Sequence, residues 1–352
     1  MRYFYYFTIP HDKLQESLVP FPLPGYTVKK GSAEASLMTI KEVNYPSTGG
    51  QAAIHGALFI PEEQPRAVIQ LVHGMSEYIL RYTPMAEALC AMGYAVCGED
   101  HLGHGQSLID GVPGYFGKKG AYRTVVEDVH YMTLLAKAEF PGLPVFLLGH
   151  SMGSFLSRYY ATVYAGDIAG LILSGTGGTN PLAGIGGAVC SVIGFFKGER
   201  SYSKILEKLS TGDFNSHFSE DATGTDWLTR DEEEQRKYRE DEHCGIPFKA
   251  GGYRELSYLV KAVSGHQWAE KMPKELPVFL YSGDKDPVGG FGKGVSEVYD
   301  LLQSAGVRDV TLTLYADGRH EMHHELNRDE VFAGIESWVD ARLPKEKTVR
   351  AD

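Results

Sequence analysis

The sequence predicts an α/β fold: a mostly parallel, doubly wound sheet interrupted by a helical insertion. Three observations predict it. Short β-branched or wholly apolar runs alternate with amphipathic runs of helical length. Runs such as Val145-Phe-Leu-Leu-Gly149 lack the polar alternation of half-exposed strands and suit strands buried on both faces. The rhythm then stops for some 100 residues and resumes.

The strand and helix rhythm starts at about Leu37. Ala53–Pro61 and Ala67–His73 are β-branched runs ending at proline or glycine. Tyr82–Met92 has helical spacing, and Tyr94–Cys97 is an apolar strand ending at Glu99-Asp100. Tyr122–Phe140 is a long helix with Val125, Val129, Met132, Leu135 and Ala136 on one stripe. Val145–Gly149 and Ala169–Ser174 are strands with a helical segment between them. From Gly175 to about Leu276 no clear strand is legible; Ala183–Phe196, Ser203–Leu209 and Arg230–Asp241 read as helical. Strands resume at Pro277–Tyr281 and Val310–Tyr315, and Asn327–Arg342 is the last helix. The expected division is an N-terminal extension over residues 1–36, a core over 37–176 and 273–345, and a helical cap over 177–272. Active sites of open α/β sheets lie beyond the carboxyl ends of the strands, where such a cap would sit.

Composition narrows the function. The chain has 352 residues, 43% hydrophobic and 22% charged, which is globular composition. Lys and Arg total 34 against 45 Asp and Glu, a net charge of −11. That excludes a nucleic-acid binder working through phosphate contacts and disfavours docking on anionic lipid. Cys90, Cys97, Cys190 and Cys244 form neither a CxxC pair nor a dense disulfide framework. The aromatic start lacks a signal-peptide core, and the stretch from Pro181 to Phe196 is short for a membrane span. The expectation is a soluble, cytoplasmic protein.

The strongest local signal is Gly149-His150-Ser151-Met152-Gly153, directly after a strand and directly before a helix. This is the context of a nucleophile elbow, where a serine sits in a tight turn and flanking glycines let strand and helix pass closely. A serine hydroxyl is a weak nucleophile and needs a base, which a carboxylate must orient. Both should follow downstream on loops after strands, acid before histidine. His320, after Val310–Tyr315, is the base; Asp286, before Pro287, is the acid. Asp284 is the alternative acid, or else a turn-stabilising side chain. The oxyanion needs two N–H donors, assigned to Met152 and to Met75 in the loop after an early strand. His73 in that loop reads as an anchor, and His101 and His104 read as loop structure rather than metal ligands.

At this point the sequence resembles a family. His73-Gly-Met-Ser-Glu-Tyr-Ile-Leu-Arg-Tyr82, Asp100-His-Leu-Gly-His-Gly-Gln-Ser107 and Gly149-His-Ser-Met-Gly153 are similar to motifs of the α/β-hydrolase group of monoacylglycerol lipases and lysophospholipases, which is grouped with serine aminopeptidase-like hydrolases. Gly283-Asp-Lys-Asp-Pro-Val288 and Gly318-Arg-His-Glu321 match the acid and histidine motifs. Asp213–Phe218, Asp226-Trp-Leu-Thr-Arg-Asp231 and Cys244-Gly245 resemble the cap of bacterial members. Tyr78 departs from the histidine that many relatives carry there, which puts the pocket entrance in question but no triad role. The resemblance covers roughly residues 37–342 and implies hydrolysis of acyl esters.

Four rivals are weaker. His320-Glu321-Met322-His323-His324 fits the zinc pattern H-E-x-x-H, but it follows a strand and Asp317-Gly318, which favour a turn over the helix that pattern needs. Gly184-Ile-Gly-Gly187 follows no strand and lacks the lysine of a phosphate loop. A serine peptidase or amidase on the same fold is the nearer competitor, and a non-enzymatic binding protein is remote. The reading is a serine ester hydrolase that needs no metal or organic cofactor. Its substrate is a small-molecule monoacyl lipid, a neutral monoacylglycerol before an anionic lysophospholipid given the acidic chain. Ala183–Phe196 would line an acyl channel or touch a membrane interface. The run Asp231–Glu234 reads as a solvated helix start.

Overall fold

The structure is a computed structural model that describes residues 38–211, 214–218 and 223–344; the extension over 1–36 and Asp213 lie outside the described residues. Eight strands form one sheet: β1 (Met38–Pro46), β2 (Ala53–Pro61), β3 (Ala67–Val72), β4 (Tyr94–Glu99), β5 (Val145–His150), β6 (Gly170–Ser174), β7 (Val278–Gly283) and β8 (Val310–Tyr315). Their order is β1-β2-β4-β3-β5-β6-β7-β8. β1 and β2 pair antiparallel, β2 meets β4 antiparallel, and every later pairing is parallel. β1 is not separately legible in the sequence because Lys41, Glu42 and Asn44 interrupt its apolar residues and only Met38, Val43 and Tyr45 are well buried.

The ten α-helices among the described residues are α1 (Thr83–Ala91), α2 (Ala121–Glu139), α3 (Met152–Ala161), α4 (Ala183–Lys197), α5 (Lys204–Thr211), α6 (Glu232–Glu240), α7 (Ala250–Ala262), α8 (His266–Ala269), α9 (Lys293–Ser304) and α10 (Arg328–Asp340). Strand periodicity of two divides the core into two layers. Val68 and Val72 of β3 and Val145 and Leu147 of β5 pack towards Val129, Leu156 and Val298 of α2, α3 and α9. Ile69, Leu71, Phe146 and Leu148, their alternates, pack towards Met85, Leu89 and Ile335 of α1 and α10. All six residues of β5 are buried, as its unbroken apolar run requires.

α4 to α8 stand between β6 and β7, a stretch that adds no strand to the sheet among the described residues. α4 packs along α7, and its glycines explain the closeness: a Cβ on Gly187 would stand 2.7 Å from the Tyr258 ring, and one on Gly184 3.1 Å from Lys261. The glycine run is therefore a packing stripe. One buried side chain meets both ends of this insertion. The Arg158 guanidinium of α3 donates to Gly177 O at 2.9 Å and to Val263 O, and stands 4.1 Å over the Trp268 ring. Burial pushes it down to about 9.

Candidate active site

Ser151 sits between β5 and α3 with φ 52° and ψ −119°, a backbone that costs on the order of 1–3 kcal/mol for a non-glycine residue. Neighbours enforce it. The Ser151 N–H donates to Ser174 O at 2.9 Å. A Cβ on Gly149 would overlap the Gly153 carbonyl, and one on Gly153 would overlap the Val72 carbonyl, so helix and strand could not approach with any other residue there. Arg158 donates to Thr176 Oγ1 at 3.4 Å, Thr176 and Ser154 hydroxyls meet at 2.8 Å, and Ser154 Oγ donates to Ser151 O at 2.5 Å. The elbow is thus held from behind by a chain of hydrogen bonds that starts on a buried cation.

The structure brings Asp286 and His320 into contact. His320 Nδ1 donates to Asp286 Oδ1 at 3.0 Å. Asp286 also accepts from Val288 N at 2.8 Å and from Ser282 Oγ at 2.8 Å, and it is fully buried. With Nδ1 as donor, Nε2 carries the lone pair a base needs. Burial pulls the imidazole down, but the Asp286 charge and hydrogen bond outweigh it and hold it above the ordinary histidine value. Asp284 does something else: it accepts from Asp317 N at 2.9 Å and faces Lys285, which ties the turns after β7 and β8.

Ser151 and His320 border one cavity of about 1010 Å³, together with Met75, Met152 and His150. No hydrogen bond joins the Ser151 hydroxyl to the ring among the described residues; such contacts are commonly long before substrate arrives. The Met75 and Met152 N–H groups have no backbone acceptor among the described residues. For Met152 this follows from its place in the first turn of α3. The cavity continues between Phe155, Ile185, Val189, Leu206, Leu256 and Val260, a wall built largely by α4, α5 and α7. Tyr78, the departure from the family pattern, donates to Asp241 Oδ2 at 2.7 Å and so joins the Met75 loop to the insertion.

Two buried networks surround this centre. Glu77 Oε1 accepts from Gly74 N at 2.5 Å and from Tyr82 Oη at 2.9 Å, and Arg81 joins Glu77 at 2.8 Å to Glu321 at 2.8 and 2.7 Å. Burial opposes ionisation of Glu321, but Arg81 holds it below the usual carboxylate range. One guanidinium therefore links the Met75 loop to the His320 loop. In the second network, burial pushes Glu99 up to about 8 and His101 down to about 4. At neutral pH the Glu99 acid then donates to a neutral His101 Nδ1 at 3.1 Å, and His101 Nε2 donates to His73 O at 3.2 Å. His73 donates from Nδ1 to Gly74 O at 2.8 Å and accepts from His101 N at 3.0 Å. His73, His101 and His104 are loop anchors: His73 stacks on His101, and His104 meets both rings edge-on.

The H-E-x-x-H segment forms a 3₁₀ turn over Met322–His324 rather than an α-helix, so its outer histidines do not share a helical face. His324 Nδ1 instead faces Glu234 Oε2 at 3.2 Å. That corrects the reading of Asp231–Glu234 as wholly solvated: Asp231 caps α6, but the α6 Glu234 is drawn inward by His324. Sequence reasoning missed the Glu77–Arg81–Glu321 link and the approach of the Trp227 indole to within 5.1 Å of the His320 ring. Glu77 and Arg81 stand four apart inside a motif already singled out, a spacing that signals an ion pair. Nothing in sequence spacing brings Trp227 to the His320 ring.

Comparison with known proteins finds relatives over most of the chain. Residues 63–327 match the profile of the serine aminopeptidase S33 family of hydrolases. The chain is 28% identical over 319 residues to a monoacylglycerol lipase of Mycolicibacterium smegmatis, covering 87% of this chain and 99% of that one. It is 30% identical over 288 residues to the Homo sapiens monoglyceride lipase, covering 80% and 85%. Among solved structures, a thermostable carboxyl esterase from Bacillus coagulans in complex with glycerol superposes with a TM-score of 0.81 at 30% identity, over 87% of this chain and 99% of that one.

Proposed function

Because the chain belongs to the serine aminopeptidase S33 family of α/β-hydrolases, we propose that it hydrolyses the ester of a monoacyl lipid through Ser151, His320 and Asp286. Ser151 Oγ attacks the ester carbonyl while His320 Nε2 takes its proton. His320 then protonates the leaving alcohol, and Asp286 keeps the ring oriented and offsets its positive charge. The Met75 and Met152 amides stabilise the oxyanion. Water, deprotonated by His320, releases the acid from the acyl-enzyme. The mechanism calls on no metal or organic cofactor.

The observation that carries the substrate class is the 1010 Å³ cavity that runs from Ser151 along an apolar wall. Each buried methylene contributes about 0.8 kcal/mol, so such a wall selects long acyl chains. Among the cavity carboxylates, Glu77 and Glu321 already have their oxygens hydrogen-bonded to Arg81, Gly74 N and Tyr82, an arrangement that favours an ester over an aminoacyl amide. The chain's net charge of −11 favours a neutral head group, as in monoacylglycerol, over an anionic lysophospholipid. Relatives named as monoacylglycerol lipases support the same reading. In this proposal residues 37–176 and 273–345 are the core and 177–272 the cap. The cap meets a membrane interface transiently through Phe195 and Phe196, which are 83% and 79% exposed. The location is cytoplasmic, and no helix among the described residues is long and apolar enough to cross a membrane.

The test is a panel of short and long acyl esters, monoacylglycerol, lysophosphatidylcholine and an aminoacyl amide, with Ser151→Ala as the blank. Rates that climb with chain length on the monoacyl lipids support the reading. Turnover of only the short esters or the amide would remove the lipid from it.

A further inference from the structure

We propose that Trp227 is a positioning residue that keeps the His320 imidazole in its working orientation. The inference rests on the catalytic reading above. Among the described residues one hydrogen bond holds the His320 ring, from Nδ1 to Asp286. The outer torsion of a histidine is broad, so a single bond leaves the ring free to swing about it. Ring contacts supply the missing restraint. The Trp227 indole stands 5.1 Å from the imidazole at 33°, and His150 stands 4.7 Å away at 47°. Trp227 also borders the cavity, so its indole displaces water beside the ring.

The indole can act as a restraint because its own backbone is fixed to the histidine loop. Trp227 O accepts from His320 N at 3.2 Å, and Leu228 O accepts from Glu321 N at 2.7 Å. Arg319 donates to Asp226 O at 2.5 Å and to Thr229 O at 3.2 Å. Thr229 Oγ1 donates to His324 O at 2.9 Å, and Arg230 pairs with buried Glu325 at 2.8 Å. Residues 226–230 therefore move with the base rather than with an opening lid. Trp227 packs in turn on Phe214, with ring centroids 5.0 Å apart.

The test uses the full chain and 4-nitrophenyl acetate, an ester too short to reach the apolar wall. Trp227→Leu, which fills volume without a ring face, should lower kcat by ~10–100-fold with KM within about twofold, the scale of a small misalignment. Trp227→Phe should restore most of that loss. In a His320→Ala background Trp227→Leu should have no further effect on the residual rate, because both changes act through one ring. An unchanged kcat on the short ester, with KM raised only for long-chain lipids, would make Trp227 a mere cavity wall and overturn the proposal. So would an undiminished effect in the His320→Ala background. Should Trp227→Leu fail to fold, Trp227→Phe decides: a folded variant that loses the full ~100-fold has kept a ring and still failed. Ser151→Ala is measured first; parental activity there would sink the catalytic reading and leave Trp227 without a partner to position.

Discussion

Residues 183–211 and residues 226–249 belong to one insertion between β6 and β7, yet they hold to the molecule by different chemistry. The first part presents Ile185, Val192, Phe195, Phe196, Ile205 and Leu209 to solvent and packs mainly on α7. The second part is joined to the loops around Ser151 and His320 by polar contacts. Arg230 meets Glu325, Asp231 meets Arg328, Glu234 meets His324, Tyr78 meets Asp241, Ser76 Oγ donates to Ile246 O at 2.7 Å, and Tyr238 lies under Arg81. The difference teaches that an insertion can be two things at once. Directional bonds to the loops around Ser151 and His320 set a geometry, whereas a non-directional apolar surface covers a cavity and leaves itself free to meet another apolar phase.

The predictions test how separate these parts are. The largest effects belong to neither. Ser151→Ala and His320→Ala should each lower kcat by on the order of 10⁶, and Asp286→Asn by roughly 10⁴, on short and long esters alike. A fully active Asp286→Asn would pass the acid role to another carboxylate. In the parent, kcat/KM should fall with acidification through a value above the ordinary histidine pKa, because Asp286 stabilises the imidazolium.

Next comes the fixed part. Arg81→Met would leave the buried Glu77 and Glu321 carboxylates without their cation, at a cost of about 3–5 kcal/mol in stability. A drop in Tm with loss of short-ester turnover is expected; an unchanged Tm would mean the link is not structural. The apolar part should answer differently. Phe195→Ser with Phe196→Ser should leave Tm and short-ester rates as they are and lower turnover of vesicle-borne monoacylglycerol by roughly tenfold, since each ring removed from an interface forfeits apolar burial. Equal losses on both substrates would erase the distinction between the two parts.

The smallest effect concerns the buried acid behind the Met75 loop. Burial raises Glu99 to about 8 in the folded protein, so between its ordinary value and about 8 the native state holds a proton that the unfolded state releases. The Glu99 contribution to stability therefore declines as pH rises through that window. Glu99→Gln keeps a donor for His101 and removes the titration. The buried histidines titrate in both proteins, so the readout is the difference: the Tm of the parent should fall relative to that of Glu99→Gln from pH 5 to pH 8. A difference that stays constant over this range would refute the assignment.

Much of this was legible in the sequence because backbone demands leave local marks. Gly149 and Gly153 flank Ser151 because strand and helix cross there, and a Cβ at either would strike a carbonyl. The unbroken run of β5 marks burial on both faces. Asp286 and His320 could be assigned because both follow strands that end on the same edge of the sheet. What escaped notice is set by contacts between segments remote in the chain. Trp227 lies 93 positions before His320, and Glu321 lies 240 positions after Arg81, so no period or spacing connects them. β1 escaped for another reason: an edge strand interrupted by charged residues has little apolar signal.

Arg158 gives the insertion a property that reaches beyond catalysis. Its guanidinium grips Gly177 on the way out of the sheet and Val263 on the way back, so the chain departs and returns at one point. A segment whose ends already meet adds little loop-closure cost when its length changes. Between those two carbonyls the apolar residues 183–211 can lengthen, shorten or be exchanged with the sheet and its elbow undisturbed, while residues 226–249 stay bonded to the loops around Ser151 and His320. One buried side chain thus makes a graft junction, where the cavity wall can change without re-founding the fold.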